Sequence, residues 1–283
     1  FKSLSQEPDL WEQKAAIVHS FNDNGAEFYQ TPKLAAFATN KSGKHETVQK
    51  LLAVSNPAQK IDLARKPAGQ VKYLIKDQFG CLVLQQFLHE AMSAVDNYKF
   101  NQDPEDINFP KQVVQVLMND LLDSEHGPLL VESSTDQQGN HVVQKWVQLM
   151  QQLPSEEDKL SKVLQAVGAD AATIGITQTG CRVLQRILES PSGIELVPYL
   201  LIEDTFLELA TSQYGNYVIQ HILIQTCQPD GTDKLAVLKH VCENFESQAA
   251  RESDMAQTHL QEGLAAPDCF FGTHTYARHV VQV

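Results

Sequence analysis

A chain of 283 residues, 42% of them hydrophobic with modest Gly and Pro, can bury a sizeable core as one extended domain or two ordinary ones, and its composition is globular rather than disordered. No apolar run reaches the roughly 20 residues that span a bilayer, so no membrane partner is expected. The net charge of −13 argues globally against a nucleic-acid partner. The acids, however, crowd into a few stretches read as loops and outer faces: Asp103, Glu105 and Asp106; Glu156, Glu157 and Asp158; and Glu243, Glu246, Glu252 and Asp254.

The start, Phe1-Lys2-Ser3, lacks the basic-then-apolar layout of a secretory signal. Five cysteines, Cys81, Cys181, Cys227, Cys242 and Cys269, include no CxxC pair, which favours a reducing compartment and a cytoplasmic location. Residues 1–36 are expected to form a helical cap or degenerate repeat, centred on Asp9–Phe21, ahead of a repeat domain over 37–283.

Along the chain one pattern recurs: a polar dipeptide, a variable residue, Gly, two variable residues, two aliphatics, Gln. A weak form, GKHETVQKLL, ends its pattern at Gln49, with Lys44 in the Gly place. DQFGCLVLQQFL begins at Asp77 and is followed by a polar insertion, Asn97–Pro110, and an amphipathic segment, Lys111–Leu122. DQQGNHVVQKWV begins at Asp136, followed by an insertion at Gln152–Asp158 and a helical stripe over Leu160–Val167. TQTGCRVLQRIL and SQYGNYVIQHIL begin at Thr177 and Ser212. A further amphipathic segment, Lys234–Phe245, precedes an insertion at Glu246–Asp268 and a last weak form, YARHVVQ, ending at Gln282 with Ala277 in the Gly place. Because the chain stops at Val283 inside this last helix, a capping segment is expected beyond it.

The intervals between the Gln residues are 36, 59, 41, 35 and 62, a unit of 36 lengthened by insertions. Such a period means stacked helical hairpins or triplets, and strand signals are almost absent. Val218, Ile219, Ile222 and Leu223 form a stripe suited to burial, while Asn216 and Gln220 lie four apart on another face. The Gly before each helix is read as ending the preceding turn and starting the helix, with Gln213 and Tyr214 in the connection.

Three positions in each motif keep one chemical character: small polar, flat, amide. They are Cys81, Leu82, Gln85; Asn140, His141, Gln144; Cys181, Arg182, Gln185; and Asn216, Tyr217, Gln220. A Gln amide carries a donor and an acceptor on one plane and can match either N3–H and O4 of uracil or N1 and the amine of adenine. The residue four before it can favour a pyrimidine when it is Asn, or leave room for a purine when it is Cys. Tyr217, His141, Arg182 and, in the last motif, His279 can stack on splayed bases. Gln282 joins the base-edge set, and Lys50, Lys145, Arg186 and Arg278, on or beside these helices, suit a phosphate backbone. Readable base edges require an unpaired strand, because those of an A-form duplex are hidden.

With Gly, trio and aliphatic-aliphatic-Gln at residues 77–88, 136–147, 177–188 and 212–223, the chain resembles the Pumilio (PUF) family over roughly residues 37–283, as six repeats. The resemblance implies an all-α, curved right-handed solenoid that binds single-stranded mRNA, one base per repeat, with the RNA antiparallel to the protein. Carried onto matching positions, Asn216/Gln220 and Asn140/Gln144 read uracil and Cys181/Gln185 and Cys81/Gln85 read adenine, a core of 5′-UAUA-3′. It further implies a 3′ untranslated target, message repression or decay through recruited deadenylation machinery, and no enzymatic activity. A second copy of the chain is a further candidate partner.

The sequence departs from the family where Arg278 and His279 replace the guanine-reading set, where Leu82 replaces a stacking residue, where His45 and Glu46 fit no base, and in showing about six repeats rather than eight. The alternatives are a helical-repeat protein-interaction scaffold, in which Gln residues merely bridge neighbours, or a non-sequence-specific RNA binder in ribosome assembly. Cys81 and Cys181 could be small core residues. His274 and His279 near Cys269 lack the second Cys pair of a zinc site, and no phosphate loop, HExxH or GxSxG is present, so no cofactor, metal or catalytic residue is expected.

Overall fold

The computed structural model describes residues 44–102, 104–122, 129–226 and 274–281, with 38–39 and scattered positions between 239 and 251. The N-terminal cap expected over 1–36 and most of the stretch from Lys234 to Asp268 lie outside the described residues. Among the described residues there is no strand, and the chain is an all-α solenoid of helical repeats. It divides into two compact units, residues 1–160 and 161–283.

In the first unit, the helices are α1 (Lys44–Val54), α2 (Pro57–Arg65), α3 (Val71–Leu74), α4 (Gly80–Asn101), α5 (Asn108–Leu121), α6 (Leu129–Thr135) and α7 (Gly139–Gln151). The motif helices pack in succession, α1 on α4 and α4 on α7, while α2 packs on α5. Local signals explain the boundaries. Asn56 accepts the Gln59 amide N–H (2.9 Å) and Gln59 Oε1 accepts that of Asn56 (3.0 Å), a capping box with Pro57 opening α2. Asp120, near the end of α5, accepts the backbone N–H groups of Gly69 (3.0 Å) and Val71 (2.9 Å), so one helix caps the start of another.

α8 (Glu157–Ala169) straddles the division, and the second unit continues with α9 (Ala171–Gly175), α10 (Gly180–Leu188), α11 (Val197–Leu200), α12 (Glu203–Thr211), α13 (Asn216–Thr226) and α14 (Ala277–Val281). Here α10 packs on α13 and α13 on α14. Gly168 faces the Tyr199 ring, where an added Cβ would come within 2.5 Å, which ties the end of α8 to α11.

All four strong motif helices bury the same i, i+1, i+4, i+5 stripe: Val83, Leu84, Phe87 and Leu88; Val142, Val143, Trp146 and Val147; Val183, Leu184, Ile187 and Leu188; Val218, Ile219, Ile222 and Leu223. Each such side chain contributes roughly 1.5–3 kcal/mol, which makes this stripe the main stabilising term of each repeat.

Two features differ from the sequence reading. Between the amphipathic segment and each strong motif lies a further helix packed on the motif helix: α3 before α4, α6 before α7, α9 before α10 and α12 before α13. All but α12 are seven residues or shorter, too short to show helical periodicity. The insertion at Asn97–Pro110 is also largely helical. α4 runs on to Asn101 because no Gly or Pro interrupts Ala91–Asn101 and Ala91 and Val95 are buried; it stops at Gln102, in the left-handed region at φ 57°. A 3₁₀ turn at Pro104–Ile107 then leads into α5, whose first turn tolerates Pro110. At Gln152–Asp158, likewise, a 3₁₀ turn (Pro154–Glu156) runs into α8.

Candidate nucleic-acid interface

The first residue of each motif fixes the start of the helix that follows. Asp77 Oδ1 accepts the N–H groups of Phe79 (2.9 Å) and Gly80 (2.7 Å), and Asp136 Oδ1 those of Gln138 and Gly139 (both 2.8 Å). Thr177 Oγ1 accepts from Gly180 (3.0 Å), and Ser212 Oγ from Tyr214 (3.2 Å) and Gly215 (3.1 Å). His274 fills the same slot in the last motif, its Nδ1 accepting from Tyr276 (3.3 Å) and Ala277 (3.4 Å). This structural role identifies YARHVVQ as the tail of a full motif beginning at His274, one residue type away from the Asp/Ser/Thr set that a pattern search seeks.

The motif glycine is required by proximity. Gly80, Gly139 and Gly180 open their helices without positive φ, but a Cβ would meet the carbonyl oxygen six residues earlier: Leu74 at 2.6 Å, Ser133 at 2.7 Å and Ile174 at 2.2 Å. At Gly215 the same oxygen, of Leu209, lies at 2.6 Å. The helix before each motif therefore ends against the first turn of the motif helix, and the glycine that starts that helix owes its place to this close approach as well as to the turn before it.

The trio is laid out alike in the strong motifs. Its first residue is buried: Cys81 is 0% exposed, Cys181 5%, Asn140 3% and Asn216 2%. Its second residue is exposed in every case, Leu82, His141, Arg182 and Tyr217, and its Gln is half-buried between the two. Asn140 donates both Nδ2 hydrogens to the carbonyls of Asp136 (2.8 Å) and Gln137 (2.9 Å) and accepts from Gln144 Nε2 (2.9 Å). Asn216 repeats this with Ser212 (2.8 Å), Gln213 (3.0 Å) and Gln220 (2.7 Å). Where Cys replaces Asn, its thiol turns to the carbonyl of Gln78 (3.5 Å) or Gln178 (3.3 Å), and Gln185 Nε2 donates to the Tyr217 carbonyl on the next helix (3.2 Å). Burial pushes the Cys81 thiol above its ordinary pKa, Asp77 and Asp136 add to the rise, and a hydrogen bond from Gln85 opposes it. Burial also raises Cys181, against the pull of Arg182.

The cations differ in what they have free. Lys50 pairs with Glu46 (3.5 Å) and Arg186 with Glu189 (2.5 Å). Lys145 has no acidic partner among the described residues, and burial pulls its ammonium below the usual lysine range, so it is a half-desolvated charge beside Gln144. His45 is buried against the Phe79 ring (centroids 4.5 Å apart) and Gln49 donates to the Leu82 carbonyl (3.1 Å), which leaves the α1 trio self-occupied. Arg278 as a side chain and Gln282 altogether lie outside the described residues, whereas His279 is exposed on α14.

The repeating geometry has a counterpart among known proteins. The Pumilio-family RNA binding repeat matches residues 70–94, 132–150, 172–196 and 206–234, each match containing one strong motif and, in the first three, part or all of the short helix before it. These four segments of the chain are Pumilio-family repeats. Two curated Arabidopsis thaliana proteins are similar: pumilio homolog 8, 25% identical over 243 residues (81% of this chain, 42% of that protein), and pumilio homolog 11, 26% identical over 188 residues (64% and 29%). The chain thus spans less than half the length of these curated relatives. Among solved structures, the RNA binding domain of yeast Puf5p bound to AAT2 RNA matches with TM-score 0.63 and 18% identity over 97% of this chain and 64% of that one. The Puf4 RNA binding domain, bound to an HO endonuclease RNA 3′ UTR recognition sequence, matches with TM-score 0.60 and 19% identity over 95% and 70%. These likenesses establish the Pumilio solenoid fold. They leave the trio chemistry to be argued from this chain's own residues.

Proposed function

We propose that this Pumilio-repeat chain binds single-stranded RNA sequence-specifically, with Gln85, Gln144, Gln185 and Gln220 meeting base edges and His141, Arg182 and Tyr217 stacking between bases. The observation that carries this reading is the recurrence, at one place in successive motif helices, of an exposed flat residue beside a half-buried Gln. Packing accounts for the buried stripe but gives no reason for that exposed pair. Lys145, Arg182 and Arg186 supply positive charge along the helices, and Lys145 is the cation with most to gain from a phosphate.

The preferred core is 5′-UAUA-3′, with uracil at the Asn motifs and adenine at the Cys motifs, and the natural target is a 3′ untranslated element of a cytoplasmic message. Repression or decay then comes from recruited deadenylation machinery, the chain itself supplying address rather than catalysis. Selection of RNA from a random pool, followed by binding with Gln185→Glu and Gln220→Glu combined, tests this. A UA-containing motif should be enriched, and the double variant should lose most of its affinity for it. The proposal is refuted if no such motif emerges and the wild-type chain binds no better than the variant.

A further inference from the structure

The residue that follows each reader Gln forms a row of its own along the motif helices: Gln86 on α4, Lys145 on α7, Arg186 on α10 and His221 on α13. At Arg186 the cation is held in check. Its Nη1 donates to Glu189 Oε2 (2.5 Å), three residues on in the same helix, and both side chains are about half exposed. The two charges cancel, so α10 offers a phosphate less positive charge than its arginines alone would give.

The next motif helix brings a third group to this pair. The bond from Gln185 Nε2 to the Tyr217 carbonyl (3.2 Å) fixes the register of α10 against α13. As the same element of successive repeats, the two helices run parallel, so four residues further along each, a rise of about 6 Å, Glu189 stands beside His221. His221 is half-buried. Burial pulls its imidazole below the ordinary value of 6.5, and the Glu189 carboxylate pulls it back up. The other charged or titratable groups described on the elements packed against α13 are Cys181, Arg182 and Arg186 of α10, Glu203, Asp204 and Glu208 of α12, and His279 of α14. None of these shifts His221, so Glu189 is the charge it answers to.

We infer that Glu189 and His221 form a proton-operated switch on RNA affinity: while His221 is neutral, Glu189 neutralises Arg186, and once His221 is protonated it takes up the Glu189 charge from the facing helix and releases the Arg186 guanidinium to a phosphate. The switch rests on the RNA-reading proposal above and adds a proton dependence that neither base reading nor stacking requires. The three-residue cluster goes from no net charge to one positive charge. RNA therefore favours the protonated form, so affinity rises as pH falls through the range below 6.5 in which His221 titrates, and is flat above it.

Equilibrium binding of the intact chain and its His221→Gln and Glu189→Gln variants to a single-stranded UAUA-containing RNA, from about pH 8 down to about pH 5.5, tests this, beside an NMR titration of His221 in the RNA-free chain. The wild-type chain should gain roughly three- to tenfold in affinity at the acid end, as expected when a bound phosphate shifts one imidazole by up to a unit. His221→Gln should match the wild type at the alkaline end and lack this gain. Glu189→Gln should bind at the alkaline end as tightly as the wild type does in acid, with a flat profile, because it frees Arg186 and removes the charge that holds the imidazole up. His141 and His279 titrate in all three chains and cancel from the comparison. In the NMR titration His221 should protonate at lower pH in Glu189→Gln than in the wild type. The switch is overturned if the three binding profiles are parallel, if His221 titrates alike with and without Glu189, or if Glu189→Gln keeps the acid gain, which would assign that gain to direct contact between His221 and RNA. If none of the chains binds the RNA at any pH, it is the RNA-reading proposal that has failed, and the switch falls with it.

Discussion

Gly180→Ala is the sharpest probe of how the fold places the reading helices. A methyl group at this position would lie 2.2 Å from the Ile174 carbonyl oxygen, 2.7 Å from Thr177 Oγ1 and 2.8 Å from Ile174 Cγ2. The nearest wall is backbone, at the end of α9, so relief requires α10 to move away by about an ångström to restore an ordinary C···O separation of about 3.3 Å. That movement also stretches the Thr177 cap on the Gly180 N–H (3.0 Å). Overpacking of this kind costs about 1–3 kcal/mol, and Ala in a helix returns at most about 1 kcal/mol. A net loss of about 1–2 kcal/mol lowers the melting temperature by about 2–8 °C for a chain of this size. The same substitution shifts Gln185 relative to the Tyr217 carbonyl, so affinity should fall at the adenine position facing α10 and little elsewhere. Thermal denaturation and base-by-base binding read the two effects. If Gly180→Ala melts at or above the wild-type temperature, close approach is not the reason for the motif glycine.

Tyr217→Ala removes a ring that is 54% exposed, so stability should hold while RNA affinity drops by about 1–3 kcal/mol; because the Tyr217 carbonyl remains, the adenine preference at α10 should survive, as binding to paired RNAs would reveal. Lys145→Met should weaken all RNAs alike and reduce the salt slope of binding by about one, in a titration against salt concentration. The sign of its stability effect follows from the lowered pKa of Lys145: a base held below its unfolded pKa costs stability while both states are protonated, and the cost fades as pH rises toward the ordinary value of 10.5. Denaturant melts should therefore show the Met variant gaining most near neutral pH, with the gain fading as pH approaches 10.5. Asp77→Ser keeps an acceptor for the Phe79 and Gly80 N–H groups, as Ser212 does in its own motif, but removes a charge near Cys81; low-salt RNA affinity should rise while stability falls by about 0.3–1 kcal/mol from the lost helix-start charge, and unchanged affinity in filter binding would count against a base site at α4.

Much of this was legible in the sequence because the motif helices carry two signals at once. The stripe exemplified by Val218, Ile219, Ile222 and Leu223 gave their burial, and the second residue of the trio, Leu82 or Tyr217, gave the exposed side, whereas the first, read as exposed with it, is buried. The short helices before the motifs were not legible: four residues of α3 or five of α9 cannot show a 3.6-residue period, and they exist because the motif helix packs on them. The Gly residues were placed at the helix starts, but the packing reason for them was not legible, since the carbonyl of Ile174 beside Gly180 belongs to the helix before and local pattern cannot reveal it. His274 was missed as a cap because imidazole Nδ1 rarely takes the place of a Ser or Asp oxygen. The two anchors of the reader Gln were hidden for a similar reason, because the Tyr217 carbonyl that holds Gln185 belongs to a residue 32 positions away.

If the motifs read bases as proposed, charge distribution ranks them. At α4 the capping residue is Asp77, Asp136 also acts on the Cys81 thiol, and the exposed trio residue is Leu82, which offers a base neither a ring nor a cation. At α10 the cap is the neutral Thr177, the exposed residue is Arg182, and its charge pulls down the Cys181 pKa rather than pushing it up. At α13 the cap is the neutral Ser212 and the exposed residue is Tyr217. On the proposed reading, a stacking residue and a neutral cap therefore coincide at α10 and α13, Arg182 adds a cation at α10, and α4 has none of these. All three motifs carry Gln at the same place, so these charge and stacking differences bear on affinity. A net charge of −13 is no obstacle to such an interface when the acids stand away from the exposed trio, and Asp77 and Asp136 mark the place where they do not.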